Sequence, residues 1–223
     1  MKLKLFFEAI IKILLGFLII GSLLFLSAGT FSYWNAWLLI GILFIPMFIA
    51  GLIMLLKTPD LLKKRLDVKE HQKEQKFVIL FSAIMFIIGF IIAGLDYKYS
   101  WTSLPYTTTI VASIIFLLSY ILYAEVLREN KYLSRTIQVE ENQKVVDTGL
   151  YKFVRHPMYT STIFLFLSMP LILGSLLSFV IFLAYPFIIA KRIKNEEKVL
   201  EEELEGYKEY KKKVKYKLIP FIW

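Results

Sequence analysis

Residues 159–190 read YTSTIFLFLSMPLILGSLLSFVIFLAYPFIIA, without a single charged side chain. As one straight helix these roughly 32 residues would reach about 48 Å at ~1.5 Å per residue. A hydrocarbon core is only about 30 Å thick. The middle of the stretch, Pro170–Ser175 (PLILGS), carries the means to turn back, because Pro ends a helix and Gly permits the reversal. The stretch therefore predicts a hairpin of two helices, Tyr159–Met169 and Ser175–Ala190, closing a membrane bundle.

Four further apolar runs precede it: Leu5–Ala28, Trp37–Leu56, Phe77–Leu95 and, opened by Pro105, Tyr106–Leu127. Each is about 20 residues, long enough to cross a bilayer. The first is longer than the core of a secretory signal and lacks a small-x-small cleavage site, so it reads as a retained helix. Glu8 and Lys12, four apart within it, are placed to pair. The chain is 57% hydrophobic with mean hydropathy +0.62, above the 45–50% typical of soluble domains. The expected fold is an all-α integral membrane helical bundle of four spanning helices plus the C-terminal hairpin.

Charge sets the orientation. Of 27 basic residues, all but Lys98 fall before the first run, in the loop 57–76, in the loop 128–155, in the tail after Ala190, or, as Lys12, near the start of the first run. Cytoplasmic loops collect Lys and Arg. The N-terminus, both long loops and the tail are therefore expected in the cytoplasm, at the inner (cell) membrane. A single fifth span would put the basic tail outside, which again favours the hairpin. The net charge of +9 thus reads as topology and contact with anionic lipid, not nucleic-acid binding. Trp34, Trp37, Trp101 and Trp223 sit at expected interfaces, as aromatic-belt residues do. Asp60, Lys64 and Arg65 are expected to make lipid or intraprotein contacts. The absence of cysteine excludes disulfides, thiol nucleophiles and Cys-based zinc sites. The two histidines, His71 and His156, are far apart, so no metal site is expected.

The polar segment Gly149–Tyr159, GLYKFVRHPMY, leads straight into the hairpin. His156–Pro157 reads as a helix start with Pro in the first turn. Such a start offers free N–H groups to an anion, and Arg155 adds a fork suited to a carboxylate. At the hairpin's far end come Arg192, Glu196 and Glu197. A closed hairpin brings these residues together. The tail 195–217 is acidic first and basic later, which suits a helix dipole, with Leu200, Leu204 and Tyr207 as one buried stripe. Taken singly, each feature has a plainer reading. His156 alone is a helix cap, Arg155 alone a snorkelling anchor, and Glu196–Glu197 alone a solvated helix face.

Taken together, RHPMY, Arg192-x-x-x-Glu196-Glu197 after a hairpin, Tyr207-x-x-Tyr210 and Leu218-Ile219-Pro220 resemble the isoprenylcysteine carboxyl methyltransferase family. The related phospholipid N-methyltransferases have a similar ending. The resemblance covers roughly residues 130–223. It implies two regions: N-terminal transmembrane helices in 1–127, and a catalytic region in 128–223 whose cytoplasmic loops and tail form a cofactor site. The implied cofactor is S-adenosylmethionine, bound without a dinucleotide-binding fold, and no GxGxxG after a strand is present to host one. By position, Gln143, Lys144, Val145, Val146, Tyr151, His156, Pro157, Met158, Tyr159 and Glu196 would hold the cofactor. Arg192 would contact a lipophilic substrate arriving from the bilayer, supported by Arg155 and Glu197. Carboxylate O-methylation is the leading expectation. Alternatives are methylation of a phospholipid amine, with Glu197 or a tyrosine as base, an NADPH-dependent sterol- or polyprenol-type reductase, and a small transporter.

Overall fold

The computed structural model describes residues 2–67, 73–134 and 136–223, and every regular element among them is helical. His71 lies outside the described residues. In chain order the helices are α1 (Lys2–Ala28), α2 (Trp34–Lys57), α3 (Pro59–Leu66), α4 (Lys73–Tyr99), α5 (Tyr106–Glu129), α6 (Pro157–Ile172), α7 (Leu176–Phe182), α8 (Ala184–Glu203) and α9 (Tyr207–Lys213). The four expected long helices are α1, α2, α4 and α5, each reaching to or past the ends of its apolar run. With the joined α7–α8 segment, five stretches are long and apolar enough to cross a membrane. Their outer faces expose rows of large apolar side chains, among them Leu14, Leu18, Phe81 and Ile114. So much exposed apolar surface calls for lipid rather than water. The protein is an integral membrane helical bundle.

Small residues set the closest helix contacts. A Cβ added at Gly94 of α4 would lie 2.7 Å from the Leu24 carbonyl of α1, and one at Gly89 would lie 2.3 Å from the Phe182 ring of α7. The Glu8–Lys12 pair forms at 2.6 Å. Lys12 also donates to the Leu66 carbonyl, so the pair ties α1 to the short helix α3.

The hairpin forms, with two differences from expectation. Pro170 lies inside α6 rather than ending it. The reversal is made by Gly174 at φ +76°, with Ser175 N–H bonded to the Pro170 carbonyl at 3.0 Å. This is a glycine terminator just past the C-cap Leu173, where the left-handed conformation lets the chain reverse and meets an orphan carbonyl. The returning arm breaks at Leu183 between α7 and α8. Pro186 explains the break: it has no N–H, and its ring crowds the carbonyl four residues back. Side chains at the far end of the bundle hold the tip. Tyr33 donates to the Leu173 carbonyl at 2.6 Å and Asn35 to the Ile172 carbonyl at 2.7 Å. Both are orphan carbonyls at a helix end. Asp96, buried at the end of α4, accepts from Ser175 Oγ at 2.5 Å and from Thr102 N–H at 2.7 Å. The tip therefore reaches the loop layer at that end, and the hairpin runs the height of the bundle.

Candidate active site

At the other end of the bundle the two arms of the hairpin meet. His156 is the N-cap of α6 and Pro157 opens the helix, but the His156 ring makes no cap bond. It turns instead to α8, where its Nε2 lies 3.2 Å from Glu197 Oε1. A carboxylate can only accept, so Nε2 carries the proton. The same oxygen accepts from Arg155 Nε at 2.7 Å. Arg155 Nη1 then donates to the carbonyls of Val214 and Lys215 at 2.7 and 2.8 Å. The Arg155 and His156 N–H groups bond to the Tyr216 and Lys217 carbonyls. One buried ion pair thus stitches together the start of α6, the middle of α8 and the C-terminal tail.

Beside this stitch lies an open cavity enclosing about 830 Å³, its solvent-filled mouth included. Arg192, Glu196, Leu200 and Leu204 line one side. The first three are four residues apart and so share one face of α8. Tyr151, His156, Met158 and Tyr159 line a second side, and Tyr207 and Tyr210 of the tail a third. Residues in 130–134 and 136–138, with the extended segment 143–146, supply the remaining wall. They are held in place by α3, whose Lys64 donates to Glu140 at 2.8 Å and whose Arg65 donates to the Ser134 carbonyl at 3.2 Å.

The chemistry of the wall is polarised. Tyr159 donates to Glu196 Oε2 at 2.5 Å and accepts from Arg192 Nε at 2.8 Å. A cation and an anion are therefore held apart by one phenol. Burial pushes the phenols of Tyr151, Tyr207 and Tyr210 up, so all three remain hydroxyl donors at neutral pH. Tyr210 donates to the Tyr151 carbonyl at 2.8 Å, and Tyr151 accepts from Asn130 at 2.9 Å. Among the described residues the buried Tyr207 hydroxyl has no partner. Of the α6 N-terminal donors, His156 N–H goes to Lys217 and Tyr159 N–H to His156. Pro157 has none. Among the described residues this leaves the Met158 N–H without a backbone partner.

Of the residues expected at the site, Gln143, Lys144, Val145, Val146, Tyr151, Arg155, His156, Met158, Tyr159, Arg192 and Glu196 all line this cavity. Pro157 and Glu197 lie behind it: Pro157 shapes the helix start, and Glu197 anchors Arg155 and His156. The stripe Leu200, Leu204 and Tyr207 forms as expected and packs with Val126, Leu133 and Tyr151, so it is at once tail core and cavity wall. The lining residues within 130–134 and 136–138, and Tyr210, were not among the expected ones. The Tyr207-x-x-Tyr210 spacing was the one signal for the latter.

The model of the isoprenylcysteine carboxyl methyltransferase family matches residues 105–202, from α5 through the hairpin to α8. The match covers a little under half of the chain and includes the whole hairpin. A match to a family of carboxyl methyltransferases over this region favours that reading over the reductase and transporter alternatives. Among solved structures, a eukaryotic intramembrane Ras methyltransferase, isoprenylcysteine carboxyl methyltransferase, is similar at 18% identity and TM-score 0.48, over 96% of this chain and 86% of that one. No curated protein matches.

Proposed function

We propose that the chain uses S-adenosylmethionine to methylate the carboxylate of an isoprenylcysteine-like lipid, working at the cytoplasmic face of the inner membrane with both termini on that side. The observation that carries this reading is the Arg192–Tyr159–Glu196 relay on one wall of the cavity. Its residues fit the cofactor. Glu196 matches the cationic end, the orphaned Tyr207 hydroxyl offers an unused donor, and the Met158 N–H is free to take a carboxylate. The extended backbone of 143–146 offers donors and acceptors to a flat base. When bound, the cofactor supplies a methyl group on a positively charged sulfur.

The chain's own task is then alignment. A substrate carboxylate is already ionised at neutral pH, so no base is needed. Arg192 holds that carboxylate by charge-assisted hydrogen bonds, and Tyr159 keeps Arg192 turned toward the cavity. Orientation and exclusion of water supply the rate. The orientation follows from charge: the basic loops, the tail and the cavity all lie at the end that the positive-inside rule assigns to the cytoplasm.

The test is transfer of a labelled methyl group by purified protein in nanodiscs, offered N-acetyl-S-farnesylcysteine or phosphatidylethanolamine. Base-labile label in the farnesyl compound supports the reading. Label in the amine lipid alone would replace it with N-methylation.

A further inference from the structure

Gln75, in the first turns of α4, is fully buried at 0% exposure, unusual for a side chain with four hydrogen-bonding sites. Its Oε1 accepts from Arg192 Nη1 at 3.0 Å. Its Nε2 is buried without a partner among the described residues. One turn along α8 from Arg192, the Asn195 Nδ2 is a second buried amide nitrogen without such a partner. Buried donors left unmet are rare in folded proteins and call for a specific explanation. Here they flank the residue assigned to the methyl acceptor.

We infer that Gln75 is an acceptor-positioning residue. Its carbonyl oxygen fixes the Arg192 guanidinium, and its free N–H completes a cluster of donors that takes the oxygens of a substrate carboxylate. A carboxylate presents about four lone-pair sites and no donors, so one arginine does not exhaust it. An amine or ammonium would bring further N–H groups against donors that already lack acceptors. The cluster thus selects acids over amine lipids, and selects them in the binding step. The reaction remains the one above: a carboxylate oxygen bonds to the methyl carbon, the carbon–sulfur bond breaks, and its electron pair stays on sulfur. No proton moves.

The inference rests on the methyltransferase reading, and the experiment separates the two. The full chain in detergent is titrated with S-adenosylmethionine, with N-acetyl-S-farnesylcysteine and with the methyl ester of that compound, as wild type, Gln75→Glu and Gln75→Met. Gln75→Glu keeps an oxygen for Arg192 but exchanges the donor for a charged acceptor, whereas Gln75→Met removes both oxygen and donor without adding charge. The expected result is unchanged cofactor affinity, acid affinity lower by roughly tenfold to a hundredfold in both variants, and ester affinity changed by less than about threefold. If Gln75→Glu keeps the acid affinity while Gln75→Met loses it, the residue merely orients Arg192 and the donor role is wrong. Equal loss of acid and ester, or loss of cofactor binding in both variants, overturns the inference by assigning Gln75 to packing. Wild type that binds the cofactor but does not prefer acid to ester defeats this inference alone. Wild type that binds no cofactor defeats the methyltransferase reading and this inference with it.

Discussion

The Arg155–Glu197 pair is the mechanical centre of the site, and cutting it has a calculable effect. The two side chains are 4% and 5% exposed. Glu197 also lies 3.6 Å from both Lys211 and Lys217 of the tail. Glu197→Ala leaves Arg155 buried with its Nε unmet. Removing one member of a buried pair costs about 3–5 kcal/mol. At about 1.4 kcal/mol per factor of ten, even the lower figure is roughly a hundredfold in the opening equilibrium. The amides of Arg155 and His156 report that opening directly, because they bond to the Tyr216 and Lys217 carbonyls of the tail. Hydrogen exchange in peptides covering 153–158 is therefore expected to speed up about a hundredfold in Glu197→Ala, while peptides at the hairpin tip keep their protection. The double variant Arg155→Met/Glu197→Leu removes both charges and is expected to be milder than either single change. Exchange within about threefold of wild type in Glu197→Ala would refute the reasoning. So would a double variant whose loss equals the sum of the singles.

The relay predicts a division of labour: Arg192→Ala should raise KM for the lipid by at least roughly tenfold with little change in cofactor Kd, whereas Glu196→Ala should weaken cofactor binding itself. Equal loss of cofactor affinity in both would count against it. Tyr207→Phe removes a hydroxyl that has no partner among the described residues, so calorimetry should show cofactor affinity reduced about twofold to tenfold with thermal stability unchanged or slightly raised. Lost stability with intact affinity would place that hydroxyl in the fold. Gly94→Ala brings a methyl within 2.7 Å of the Leu24 carbonyl and is expected to destabilise the bundle by about 1–3 kcal/mol, whereas Gly41→Ala, with open space around it, should be neutral in the same thermal scan.

The parts of this architecture that repeat or carry charge were readable in the amino-acid sequence. The uncharged runs give the helices, and the basic tail after Ala190 forces the hairpin. The Glu8–Lys12 spacing gives a pair that forms. Less was readable where partners are distant. Asp96 looks like the polar end of a span, yet it is buried by Ser175 and Thr102. Pro170 looks like a helix stop, but Gly174 takes that role two residues beyond the end of α6, and Pro186 makes the break that the sequence reading did not place. At the candidate site, most residues of RHPMY and of Arg192-x-x-x-Glu196-Glu197 come together around one cavity. They did not separate the residues facing it from Pro157 and Glu197 behind it, since adjacent positions on a helix point about 100° apart. The wall residues in 130–134 and 136–138 have no periodicity to read, and Lys64 and Arg65 of α3 help hold this side of the cavity through Glu140 and Ser134. Gln75 gave no signal at all, because a polar residue at the mouth of an apolar helix ordinarily faces water.

The central claim is that the cavity between α6, α8 and the tail holds a methyl donor. Calorimetric titration of the purified protein with S-adenosylmethionine, alongside NADPH, tests it most directly. Saturable binding of S-adenosylmethionine, weakened in Glu196→Ala and with no heat from NADPH, is the predicted result. Binding of NADPH instead, or of neither by folded protein, would contradict it.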